Sequence, residues 1–219
     1  MNYQVILNFL KDKVKFSEKI IDPKLQDLTI LYRWFTLNDK IEKIADNIYI
    51  VNTSNNYTNQ LQGLFYKDIF TSLEKKYKIK YLKTHCTLNP NYGNFNKQEN
   101  RLFIVVPTNK FFAFQTPLAK DIIELGYSNL PKKLKMIDKP YIAKSLEYAE
   151  KDFKYSYGNF NVLNNNYREF QNKHPYAVKA IIETIVNSYS CIKDKQYHNG
   201  EVLLYCERYL LIDSDLFKQ

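Results

Sequence analysis

A chain of 219 residues, 45% of them hydrophobic, can bury a substantial core as one large domain or as a small domain beside a medium one. Lys and Arg number 32 against 23 Asp and Glu, and the net charge of +9 favours a polyanionic partner, although a drift toward Lys, Asn, Tyr and Ile also produces it. Cys86, Cys191 and Cys206 are odd in number and far apart, which argues against a disulfide framework or a zinc ribbon, and no 18-residue apolar run suits a membrane-spanning helix.

From the N-terminus, Val5, Ile6, Phe9 and Leu10 recur at helical spacing and predict a first amphipathic helix. That apolar patch meets Asp12 too soon for a secretory signal, so a reducing, cytoplasmic location without membrane contact is expected. Ser17 is a fitting N-cap for a short second helix over Glu18 to Ile21. Asp22 and Pro23 suit the cap and first position of a third, whose one face carries Leu25, Leu28, Leu31, Tyr32 and Phe35. A hairpin over residues 41–51 follows, with Asp46 and Asn47 supplying the turn and Ile48 to Val51 returning as a strand. Residues 52–60 are polar and read as a linker. The expected domains are therefore 1–53 and 61–219.

Past the linker, Leu64 to Lys75 predicts a helix carrying Phe65, Ile69, Phe70 and Leu73. Residues 76–81 alternate with period two and predict a strand with Lys76, Lys78 and Lys80 on one face, and Tyr77, Ile79 and Tyr81 on the other. Arg101 to Pro107 is apolar on both faces and predicts a central strand, with Phe111 to Gln115 its hairpin partner through a turn at Thr108 and Asn109. Helices are expected at residues 118–125, 141–153, near 165–172, and at 175–189. Residues 201–212 fit a strand or a helix equally. The expected fold class is α/β in the α+β sense: a winged-helix-like N-terminal domain, then a mixed β-sheet with flanking helices.

In such a domain the third helix enters the major groove and the wing touches phosphate. The candidate nucleic-acid-binding residues are then Lys24, Arg33, Lys40 and Lys43, with Gln26 and Asn38 placed to read base edges. The alternative is that these are solvated positions of a helical cap, and Asp27, Asp39, Glu42 and Asp46 lie among them. Lys76, Lys78 and Lys80 form a second electropositive candidate, able to follow a phosphate backbone or simply to protect a strand edge.

The run Lys40, Ile41, Glu42, Lys43, Ile44, Ala45, Asp46, Asn47, Ile48, Tyr49 resembles the lysine-rich wing of the N-terminal winged helix in antitoxins of abortive-infection toxin pairs, with Asn47 in place of the usual Gly. The resemblance spans residues 16–51. It implies a transcriptional autoregulator whose second domain helps neutralise a toxin, and the leading expectation is a DNA-binding regulator whose C-terminal part engages a protein partner or a second copy. The alternative is a structural or assembly protein of a virus, mobile element or ribonucleoprotein.

Enzyme signals are few, and no catalytic residue, metal ligand or cofactor site is assigned. His85 and Cys86 with a distant His174 lack a third orienting residue, and no glycine-rich phosphate loop is present. Arg168 and His174 have the Arg-x-x-x-x-x-His spacing that resembles HEPN ribonucleases, which would make both residues necessary for RNA cleavage.

Overall fold

A computed structural model of the chain describes residues 2–14, 28–37, 41–53, 64–92, 100–120, 140, 144 and 167–217. They form two compact units, each assembled from separate stretches of chain: residues 1–58, 81–115 and 191–219 in the first, 59–80 and 116–190 in the second. Residues on both sides of the expected linker share the first unit's sheet.

Helix α1 (Tyr3–Lys13) opens the first unit, its N-terminus capped by the Asn2 side chain, which accepts from the Val5 amide at 3.2 Å. Its buried face is Tyr3, Ile6, Leu7 and Leu10, while Val5, expected on that face, is 50% exposed. Strands β1 (Leu31–Phe35), β2 (Glu42–Ala45), β3 (Ile48–Asn52), β4 (Lys83–Thr87), β5 (Arg101–Gln115), β6 (Ser190–Cys191) and β7 (Glu201–Asp213) make one sheet in the order β2-β3-β7-β4-β1-β5-β6. A further pairing joins β5 to β7, so β1, β4, β7 and β5 close on themselves as a small antiparallel barrel. Long β7 makes this possible. Its first half pairs with β4, its second half with β3, and its other edge runs along β5 from Phe103 to Phe114. Alternation along the strands sends Leu31 and Phe35, Cys86, and Val202, Leu204 and Cys206 into one hydrophobic core with the apolar face of α1.

Several expectations are corrected. Leu31, Tyr32 and Phe35 belong to strand β1 and not to a third helix, because β1 is held on both sides by β4 and β5. The described residues from Tyr3 to Val51 therefore read helix, strand, hairpin. The hairpin itself forms where expected, with Asn47 in the left-handed region at φ 58°, yet it extends the sheet through β3 and β7. No turn breaks Thr108 and Asn109: β5 passes through as one strand, and a bulge between Thr108 and Phe111 absorbs the irregularity. Residues 201–212 are strand. The expected helices at 18–21, 22–30 and 141–153 lie largely or wholly outside the described residues, and of residues 118–125 the described part makes an isolated bridge between Thr116 and Ala119.

The second unit contains helices α2 (Leu64–Tyr77), α3 (Tyr167–Lys173) and α4 (Pro175–Ser188). Phe65, Ile69, Phe70 and Leu73 are buried as their spacing predicts, and Pro175 opens α4 at a position where its missing N–H costs nothing. The Tyr167 hydroxyl donates to Asp68 at 2.6 Å and its ring meets Phe65 at 5.7 Å, tying α3 to α2. Residues 76–81 are not a strand. Helix α2 runs through Tyr77 and ends on Lys78 at φ 53°, with the Lys78 amide bonded to Lys75 O and the Ile79 amide to Glu74 O. That pair of bonds is a Schellman closure, with lysine at the position glycine usually fills.

Candidate nucleic-acid interface

Lys24, Gln26, Asn38 and Lys40 lie outside the described residues. Of the other five expected residues, Arg33 and Lys43 belong to the first unit and Lys76, Lys78 and Lys80 to the second. Lys43 is exposed on β2 and paired with Asp46 at 2.8 Å, which holds the carboxyl below and the ammonium above their ordinary ranges. Lys76, Lys78 and Lys80 are exposed in the second unit, but they share no strand face. Lys76 donates to the Val186 carbonyl at 3.4 Å and to Asn187 Oδ1 at 3.1 Å, so it caps the C-terminal end of α4, where a cation is favoured.

Arg33 departs furthest from expectation. It shares the inward face of β1 with Leu31 and Phe35, not the outer face of a helix. One nitrogen, Nη1, donates to Thr84 Oγ1 and, at 2.7 Å, to the Tyr209 hydroxyl. The guanidinium lies over the Phe35 ring at 4.8 Å and near the Tyr209 ring at 5.9 Å. Burial pushes the Tyr209 phenol up and lifts the Cys86 thiol to about 12, with the Arg33 charge opposing both.

That raised thiol disfavours the thiolate that a His85 and Cys86 pair would need. The two side chains also leave β4 on opposite faces: Cys86 enters the core, while His85 Nδ1 meets the Glu201 carboxylate. His174 belongs to the other unit, immediately before α4. Arg168 is exposed on α3. Among the described residues no group of three His, Cys, Asp or Glu is arranged to hold a metal ion.

No protein-family model matches the chain, and neither does any curated protein or solved structure.

Further lysines of the first unit, outside the expected site, are seated on aromatic rings. Where β5 passes the turn after β6, the Ile192 amide donates to Ala113 O at 2.9 Å, and the Asp194 and Lys195 amides both bond to Cys191 O. Three ammonium groups each sit over an aromatic ring: Lys110 over Phe112 at 5.4 Å, Lys193 over Phe111 at 4.8 Å, and Lys195 over Tyr197 at 5.0 Å, with Phe111 and Phe112 on opposite faces of β5. Each contact contributes about 0.5–1 kcal/mol at such sites and orients a flexible lysine stem. Arg208 stands across from Thr108 at the bulge, and exposed Asp194 and Glu207 are the acidic neighbours. The interleaving of lysine with Phe111, Phe112 and Tyr197 was the available sequence signal. Its two stretches are some eighty residues apart, and only the pairing of chain segments joins them.

Proposed function

We propose that the protein binds nucleic acid through its phosphates, using Lys110, Lys193 and Lys195. The observation that carries this reading is the seating of three lysines over Phe112, Phe111 and Tyr197. Rings beneath the ammonium groups hold them in place without neutralising them, so they remain able to displace counterions from a phosphate backbone. The net charge of +9 supports the same class of partner.

The transcriptional regulator resembling antitoxins is the narrower form of this reading, drawn from residues 16–51. With Leu31, Tyr32 and Phe35 in a strand and Arg33 directed inward, phosphate-directed binding fits the described residues better than base reading by a recognition helix. The test is fluorescence anisotropy of labelled random duplex DNA and single-stranded oligonucleotides from about 50 to 200 mM salt. Affinity that falls steeply with salt supports the proposal, and no binding at the lowest salt removes it. Preference for the duplex separates a DNA regulator from an assembly protein that holds RNA or other chains.

A further inference from the structure

Arg33 stands apart from Lys110, Lys193 and Lys195 in its partners. A guanidinium offers five N–H donors in a planar fork, and Nη1 spends both of its own on Thr84 and Tyr209. Both hydroxyl partners are neutral and buried, Thr84 at 2% and Tyr209 at 0% exposure, so they fix the fork without cancelling its charge. Among the described residues no carboxylate pairs with Arg33. The carboxylate two strands across, Asp213, stands opposite Phe103, which itself stands opposite Arg33. It is already engaged by Arg101 at 3.9 Å and by the Asp215 amide at 3.0 Å.

What remains is the Nε and Nη2 edge, where Nε–H and one Nη2–H point the same way. This side-on edge matches two oxygens of a carboxylate or phosphate, and it is the geometry in which arginine outperforms lysine. The Phe35 ring at 4.8 Å restrains the plane of the fork. Arg33 is half-buried, so its surroundings are drier than those of a surface arginine. A cation placed there without an anion loses hydration and gains no ion pair, so binding one relieves an electrostatic cost.

We propose that Arg33 is the receptor for a phosphate group, its Nε and Nη2 edge taking two oxygens of a phosphomonoester while Thr84 and Tyr209 hold the opposite side of the fork. The same chemistry is presented by a free phosphate and by the 5′-phosphate end of a nucleic acid. Internal phosphodiesters, with one negative charge each, bind this edge more weakly than the dianionic terminus.

The first experiment uses the unaltered full chain and needs no variant. The Arg33 Nε–H resonance, assigned by its loss in Arg33→Lys, is followed by NMR as inorganic phosphate is added, with sodium chloride at matched ionic strength as control. A saturable shift with phosphate and none with chloride is expected. Equal response to both salts, or no response, overturns the proposal. The second compares a 5′-phosphorylated with a 5′-hydroxyl oligonucleotide of the same sequence. A preference of about tenfold, abolished in Arg33→Lys, identifies a nucleic-acid end as the source. A phosphate shift with no end preference identifies a free phosphate. If Arg33→Lys is poorly folded, Thr84→Val tests the same fork by freeing one side of it, and should weaken the phosphate response. Because Arg33 is separate from Lys110, Lys193 and Lys195, salt-dependent oligonucleotide binding without a phosphate shift defeats this inference and leaves the proposed function standing.

Discussion

The Tyr3 hydroxyl donates to the Val105 carbonyl at 2.6 Å and accepts from the Leu31 amide at 3.1 Å, and Leu31 and Val105 are themselves partners across β1 and β5. One buried oxygen on α1 thus fastens the helix to the seam of the barrel. Tyr3→Phe keeps the ring and strands both backbone groups, so it should destabilise the protein by about 1–3 kcal/mol. Urea denaturation measures this directly. A loss below about 0.5 kcal/mol contradicts the bridging role.

Lys78 gives a prediction of opposite sign. It holds φ 53° at the end of α2, in a closure that glycine fits without strain. Lys78→Gly should stabilise the protein by about 0.5–1 kcal/mol, whereas Lys78→Val should destabilise it. Thermal unfolding of the two variants checks both directions, and a less stable glycine variant would count against the assignment.

Elements were legible where one signal acted alone. Helix α4 announced itself by Pro175 and by Val178, Ile181, Ile182, Ile185 and Val186 at helical spacing, and Asn47 marked its turn. Strand β1 was not legible, because Leu28, Leu31, Tyr32 and Phe35 also satisfy a helical period, and the inward Arg33 breaks the apolar alternation of a strand. Lys76 to Tyr81 alternates because lysines stay in water on either side of a helix end, a pattern that a strand shares. Arg33 was selected as a surface contact on a helix. Its partners Thr84 and Tyr209 stand far along the chain, so nothing local could show that it enters a barrel.

Lys76 separates structure from binding. As a cap on α4 through Val186 and Asn187, its replacement by Met should lower stability while leaving nucleic-acid affinity within about twofold of the parent. Affinity measured beside a denaturation curve resolves the two effects. A large affinity loss at unchanged stability would restore Lys76 to the interface.

Alkaline pH should weaken the barrel. Burial raises the Cys86 thiol from its ordinary 9.0 to about 12, and it raises Cys206, Tyr3 and Tyr209 in the same direction. For each, the folded protein holds its proton where the unfolded chain releases it. The stabilisation is therefore complete below pH 9 and is lost as pH rises from 9 through 12. The urea midpoint should fall progressively across that window, and Cys86→Ala should flatten part of the decline. A midpoint that does not change over the same interval opposes the burial of these groups.

The role of the three ring-seated lysines is tested most directly by the salt dependence of oligonucleotide binding in the parent protein and in a variant carrying Lys110→Gln, Lys193→Gln and Lys195→Gln. Each phosphate contact contributes a slope of about 0.7–0.9 in log affinity against log salt, so the triple variant should lose about 2–3 from the slope and most of the affinity. Equal slopes and affinities in two equally folded proteins would contradict the account.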